Sequence, residues 1–319
     1  MKVLRFFLSI AVLLVASVLL IAPASAQATR TWVSGVGDDA NPCSRTAPCK
    51  TWAGAISKTA AGGIINCIDP GGFGTVTITK SMTISCKHVE GSALASSTTG
   101  IIINGAGIDV VLRGLDIDGS PPNLPGVNGI RFLQGASLIV EDCIIRDFTG
   151  ASPNGNGILV NNTSLVTEIH VSNTNITGNA RNGISIEPSG SGGSMLFVKD
   201  SVLSNNFVGV RGSTAATTGA VDITVTDTSA AGGGAQGFSA AAGTGALRMM
   251  LNRVTAANNA DTGVRSANAN SIVRIGSSTV SGNGTALGAV TSGQIESYGN
   301  NQIDGNVSAG TAPTAVGLK

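Results

Sequence analysis

Aromatic residues are scarce in this chain. One tyrosine, two tryptophans and eight phenylalanines make up 3% of 319 residues, too few to build a core or a broad sugar-stacking face on rings. Charge is scarce as well. At 12% charged residues and a formal net charge of +1, no long-range field draws nucleic acid or an anionic membrane surface. The two histidines, His88 and His170, stand far from most of the cysteines, and no CxxC occurs, which argues against a zinc site. Beyond Ala26 no run is apolar enough to span a bilayer. Low charge together with 42% hydrophobic residues excludes disorder, which pairs low hydrophobicity with high net charge. What abounds is glycine, 44 residues of it, beside Ile, Val and Leu. Such a chain makes its core by stacking small and β-branched side chains.

The segment from Met1 to Ala26 reads as an export signal. Lys2 and Arg5 supply the positive start, Phe6 to Ile21 the apolar stretch, and Ala24-Ser25-Ala26 the small-x-small cleavage pattern. The mature chain is expected to start at Gln27, to be secreted or periplasmic, and to keep no stable membrane insertion after cleavage. Export permits disulfides. Cys43 and Cys49 share a Pro-rich turn and are paired here. Cys67 and Cys86 are separated by somewhat less than one repeat length and are paired across neighbouring repeats. Cys143 is left over.

The repeat is the main signal. A Gly-apolar pair recurs at Gly129-Ile130, Gly157-Ile158, Gly183-Ile184, Gly209-Val210, Gly237-Phe238 and Gly263-Val264, with a weaker copy at Gly288-Ala289. The copies return about every 26 residues, a period in the range of solenoid coils. Each unit continues with a short alternating strand, a variable Gly/Ser/Ala loop and a second strand ending on Leu112, Val140, Val171, Val198, Val225, Leu251 or Ile275. A little further on comes another inward position: Ile117, Ile145, Ile176, Leu203, Ala230, Ala256, Val280. Between them is a tight bend reading Asp142, Asn173, Asp200 and Asp227, with Gly114, Arg253 and Ser277 as exceptions. A second, Asn-rich turn precedes each new glycine. Alternation over a few residues makes strands, not helices. One such unit cannot bury its apolar side alone, whereas stacked units pair in parallel and enclose a continuous core. Asn, Asp and Gly at fixed turn positions tolerate left-handed backbone.

These features resemble the right-handed parallel β-helix with the pectin-lyase-like fold. Trp32-Val33-Ser34-Gly35, then Asp38, Asp39, Asn41, Pro42 and Lys50-Thr51-Trp52, is similar to the opening of many exported β-helix proteins. Gly62-Gly63-Ile64 through Phe73 and Val76 to Ile84 is similar to a first full coil. The expected fold is all-β: a single-stranded right-handed parallel β-helix of roughly nine coils, three short strands per coil. Its expected divisions are signal peptide 1–26, cap segment 27–60, β-helix 61–308 and C-terminal tail 309–319.

The resemblance implies carbohydrate chemistry, and the residues for it are sparse. Lyases of this fold use several carboxylates around Ca²⁺ and an Arg on the outer face of the first strand. Here that face reads Arg131, Leu159, Ser185, Arg211, Ser239, Arg265 and Val290, with Asp147 and Glu187 nearby. Calcium takes six to eight oxygens, and no acidic cluster is visible, so no cofactor is expected, Ca²⁺ being the one candidate. Hydrolases need paired acids, yet the sole Asp-Asp, Asp38-Asp39, lies in the cap. His170 should point outward, His88 has no visible acid–base partner, and Cys143 shares a column with Leu115, Thr174 and Ser201 as a packed thiol. Trp32 and Trp52 belong to the cap, Phe132, Phe197 and Phe238 are placed inward, and Phe148 and Phe207 lie in turns. Two long turns, Asp118 to Asn128 and Asp147 to Asn156, precede first strands on adjacent coils and could wall a shallow groove beside Arg131. The expected site, for binding and not catalysis, is therefore Arg131, Asp147, Arg211 and Glu187. The expected partner is a polysaccharide or cell-envelope component, met by a monomer. A divergent lyase or hydrolase is the alternative.

Overall fold

The computed structural model describes residues 27–119 and 123–317; the expected signal peptide lies outside the described residues. The chain winds as a parallel solenoid of about ten turns. Three sheets run along it, numbered here in the order a coil visits them. Sheet I begins at Val76–Ile78 and ends at Ser308–Gly310, with ten strands among the described residues. Sheet II has twelve, from Ala28–Val33 to Thr314–Ala315. Sheet III has ten, from Gly71–Gly72 to Gln302–Ile303. Successive strands of each sheet pair in parallel one coil apart, as in Ile130↔Ile158↔Ile184↔Val210.

The core is three ladders of inward residues. Sheet I contributes Ile101, Ile130, Ile158, Ile184, Val210, Phe238 and Val264, all fully buried. Sheet II contributes Leu112, Val140, Val171, Val198, Val225, Leu251 and Ile275, equally buried. Each aliphatic side chain withdrawn from water stabilises the fold by about 1.5–3 kcal/mol. Where sheet III narrows to Ala230 and Ala256, sheet I carries Phe238 and sheet II carries Met249, which keeps the cross-section filled, as a close-packed interior requires.

The glycine column has a steric cause. A Cβ at Gly129 would stand 2.4 Å from the Gly157 carbonyl oxygen, and at Gly209 2.5 Å from that of Gly237. Each coil's carbonyl occupies the place where the previous coil's side chain would be. The last copy of the pair is Ala286-Leu287, not Gly288-Ala289: Val264 pairs with Leu287 and Arg265 with Gly288. The step from Val264 to Leu287 is shorter than the steps before it, so Val290 leaves the outward column and Gly288 takes its place.

Both turns follow the sequence. Gly114, Asp142, Asn173, Asp200, Asp227, Arg253 and Ser277 all have positive φ, and so do Asp147, Gly178, Asn205, Gly232, Asn258 and Gly282 in the other turn. Beside each lies a ladder of polar side chains. In one, Asn179 Nδ2 donates to Asn206 Oδ1 at 2.8 Å and Asn259 Nδ2 to Asn283 Oδ1 at 2.9 Å. In the other, Thr174, Ser201 and Thr228 each donate back to a nearby backbone carbonyl at 2.8 Å, while each hydroxyl accepts an N–H from the coil before it. Cys143 holds the same place with sulfur, 3.2 Å from the Glu141 carbonyl oxygen, and burial pushes its thiol up to about 12.

The N-terminal end is closed by helix Trp52–Lys58, capped by Thr51, with Trp52 fully buried against Phe73. Asp39 holds this cap: its carboxylate accepts from the Lys50 and Thr51 N–H groups and from Thr51 Oγ1. The bridges Cys43–Cys49 and Cys67–Cys86 are formed, and Cys143 is free. At the other end Thr314–Ala315 pairs with Glu296–Ser297, so strand pairing continues into the segment set apart as a tail.

Candidate functional site

Strand alternation turns every second residue of sheet I outward. Pairing then stacks Ile102, Arg131, Leu159, Ser185, Arg211, Ser239, Arg265 and Gly288 in one in-register column. Arg131 and Arg211 are three steps apart, about 14 Å at the usual strand spacing. Arg131 lies between two apolar neighbours, Ile102 and Leu159. Its Nε–H is buried without a hydrogen-bond acceptor, and so is that of Arg211.

Glu187 is the carboxylate of this face. Its Oε1 accepts from Ser185 Oγ at 2.8 Å and lies 3.3 Å from Arg211 Nε, an ion pair that falls short of hydrogen-bond geometry. Behind it runs a buried amide ladder: Asn156 Nδ2 donates to Asn128 Oδ1, Asn182 Nδ2 to Asn156 Oδ1, and Asn182 Nδ2 also to Ser185 Oγ. Glu187 is therefore positioned from beneath. Arg131 and Arg265 form no ion pair among the described residues.

Apart from Arg30 at the N-terminal edge of sheet II, the arginines of the other two sheets are paired. On sheet II, Arg113 meets Glu141 at 2.7 Å, Arg248 meets Asp222 at 3.1 Å and Arg274 meets Glu296 at 2.6 Å. At the bend between sheets II and III, Arg253 grips Asp227 through Nε and an NH2 group at 2.6 and 2.7 Å, holding that carboxyl down at about 2. On sheet III, Arg146 meets Asp116 and Asp118, each at 3.0 Å.

The structure joins two of the four expected site residues and separates a third. Glu187 and Arg211 are in contact. Asp147 instead faces Arg146, 4.0 Å away, beside Asp116 and Asp118. Burial and the nearby Asp118 charge push its carboxyl above the ordinary carboxylate range, against the pull of Arg146. This grouping of three carboxylates is invisible in the sequence because Asp116 and Asp147 come from successive coils. Among the described residues no group of three or more His, Cys, Asp or Glu is spaced to hold a metal ion.

The two long turns stack on each other. Gly126 N donates to Gly119 O, Gly150 N to Gly126 O and Gly155 N to Val127 O. Phe148 lies in its turn and is fully buried there: a Cβ on Gly119 or Gly126 would meet its ring at 2.7 and 2.8 Å respectively. Phe197, expected inward, is the aromatic that the structure corrects. It points outward on sheet II and lies 6.0 Å, ring to ring, from the exposed His170. His88 lines an open groove of about 590 Å³ with Lys87, Glu90 and Asp142. In it Asp142 is held low by hydrogen bonds from Asn173 and Lys87.

Three parallel sheets, two bends per coil that pass through left-handed backbone and an inward apolar stack together decide the fold. It is a right-handed parallel β-helix. No protein-family model and no curated protein sequence matches the chain. Among solved structures it is similar to the pectate lyase Pel9A, with a TM-score of 0.64 and 14% identity over 93% of this chain and 82% of that one. Two others match with lower scores. The GH136 lacto-N-biosidase from Eubacterium ramulus has a TM-score of 0.48 at 11% identity, covering 91% of this chain and 68% of that one. The A-module of the Azotobacter vinelandii mannuronan C-5 epimerase AlgE4 has 0.41 at 12%, covering 81% and 91%. At these identities the likeness is one of β-helix fold.

Proposed function

We propose that this is an exported, non-catalytic β-helix protein that binds an acidic polysaccharide along the outer face of sheet I. The observation that carries the reading is the difference in charge pairing. On sheets II and III, Arg113, Arg146, Arg248 and Arg274 each meet a carboxylate, whereas among the described residues the sheet I column sets Arg131, Arg211 and Arg265 against Glu187 alone. The guanidiniums of Arg131 and Arg211 remain part-exposed, and a carboxylate arriving from a ligand can pair with their open side through charge-assisted bonds. Apolar Leu159 and Ile102 beside Arg131 lower the local dielectric and strengthen such contacts. A regularly spaced column suits a chain ligand. The fold likeness to a pectate lyase supports a polysaccharide as that ligand, and the two bridges support an oxidising compartment outside the cytoplasm.

A second reading, a lyase or hydrolase, has one observation in its favour: Asp116, Asp118 and Asp147 gathered around Arg146, with the Asp147 carboxyl pushed above its ordinary value by burial and Asp118. The test is to incubate the purified protein with polygalacturonate, alginate and neutral glucans, scoring retention and new reducing or unsaturated ends separately. Retention of an acidic polymer without products is expected. Arg131→Ala with Arg211→Ala should weaken it more than about tenfold, and added salt should weaken it further. Products that disappear in Asp147→Asn would establish the second reading instead. Neither retention nor products would sink both and leave a scaffold role.

A further inference from the structure

The outward face of sheet II near its C-terminal end carries a groove that the sheet I reading does not use. Pairing stacks Thr224, Met250, Arg274 and Glu296 in one column and Asp222, Arg248, Ile272 and Gln294 in the next. Over them leans Tyr298, the one tyrosine of the chain. Its backbone N–H donates to Ile275 O at 3.2 Å, in register with Gly276. A Cβ on Gly276 would stand 2.9 Å from Tyr298 Cδ2, so the absence of a side chain there lets the ring fold back over the sheet. The ring and Met250 line a groove of about 790 Å³ with Asn252, Arg274 and Glu296, and an adjoining one of about 290 Å³ with Asp222 and Arg248.

The chemistry of this groove differs from that of the sheet I column. Two guanidiniums face two carboxylates, Arg248–Asp222 at 3.1 Å and Arg274–Glu296 at 2.6 Å, so the lining carries no net charge. The pairs nonetheless keep donors and acceptors in excess of those they use on each other, since a guanidinium has five N–H groups and a carboxylate four lone-pair sites. A half-buried ring edged by planar polar groups matches a pyranose, whose C–H face is apolar and whose rim is hydroxyl. The volume is that of a small-ligand site.

We infer that this groove is a second saccharide site, selective for neutral sugars, with Tyr298 as the stacking platform and Arg274 and Glu296 as hydroxyl ligands. It does not rest on the reading of sheet I. Because the chain has a single tyrosine, ring-labelled tyrosine gives one unambiguous NMR signal from the groove. The full exported protein would be titrated with cellohexaose, maltohexaose, xylohexaose and hexagalacturonate. At least one neutral hexasaccharide should shift the signal saturably. Binding of that sugar, followed by calorimetry, should weaken about tenfold in Tyr298→Ala, as loss of an aromatic anchor does. It should persist in Tyr298→Phe and in the Arg131→Ala, Arg211→Ala pair. Gly276→Val, which pushes the ring aside while leaving Tyr298 in place, should weaken binding as Tyr298→Ala does, and supplies the result if the alanine variant fails to fold. No shift with any neutral sugar up to about 10 mM, weaker than useful recognition, would overturn the inference, and so would a shift with hexagalacturonate alone. Acidic retention lost in the arginine pair with the neutral shift intact would separate the two sites.

Discussion

Sheets I and II are built on the same frame and present opposite faces. Both alternate in and out, and both stack one residue type over another at each coil. Among the described residues the guanidiniums of Arg131 and Arg265 on sheet I have no carboxylate, while on sheet II Arg113, Arg248 and Arg274 each have one. The difference does not lie in the inward residues, which are buried and apolar on both sheets. It lies in whether an acid occupies the equivalent outward place one coil away. In a solenoid the face is therefore chosen independently of the core, one outward substitution at a time.

The comparison can be broken from beneath. Asn206→Ala removes the acceptor of the Asn179 N–H and Nδ2 and the donor to Ile176 O. Leaving such buried groups unsatisfied should cost about 3 kcal/mol, read as a lower denaturation midpoint, and both faces should lose binding together as the chain unfolds. An unchanged midpoint would mean that the amide ladder does not hold the frame.

A smaller effect is expected from making one face resemble the other. Glu296→Gln leaves Arg274 without its counter-charge on sheet II. Retention of polygalacturonate in affinity electrophoresis should rise by about threefold at low ionic strength and return to the parent value in high salt, since half-exposed charges are readily screened. A rise that survives salt would point to a cause other than charge.

The two turns offer a comparison in pH. Asp227, gripped by Arg253, is lowered from its ordinary 3.8 to about 2, so its contribution is present above the ordinary value and lost as pH falls through about 2. Asp147 is raised, chiefly by burial, so its ionised form disfavours the fold, and that cost vanishes at acid pH. Asp227→Asn should lower the melting temperature slightly at neutral pH and not at pH about 2. Asp147→Asn should raise it slightly at neutral pH, with the gain disappearing in acid. Thermal melts across pH for the two variants check both signs.

The smallest effect belongs to Cys143→Ser. Its column already holds Thr174, Ser201 and Thr228 with the same back-bond, so stability should change by less than about 0.5 kcal/mol. The native thiol, fully buried, should not react with a thiol reagent until the protein unfolds.

Much of this is legible in the residues alone. The glycine column, the aliphatic ladders and the left-handed bend at Asp142, Asn173, Asp200 and Asp227 are local requirements repeated at every coil, so one chain displays them several times over. The departures are of another kind. Phe197 stands next to an inward neighbour, and hydrophobicity alone assigns it to the wrong side. Phe148 does lie in a turn, but nothing in its own segment shows that a second long turn stacks on it and buries it. The final Gly-apolar pair reads too late in the chain, since the shorter last step has no marker of its own.

The coil is written in near neighbours and in repetition: its period, its inward and outward alternation and the positions that must adopt left-handed backbone are all local properties of the chain. The chemistry of each face is not. Arg274 and Glu296 come from successive coils and stand 2.6 Å from each other, and Arg146 and Asp116, also from successive coils, stand 3.0 Å apart. Whether an outward arginine is satisfied or left open to a ligand depends on contacts across a strand spacing of about 4.8 Å between residues a full coil apart, and only winding the chain brings them together.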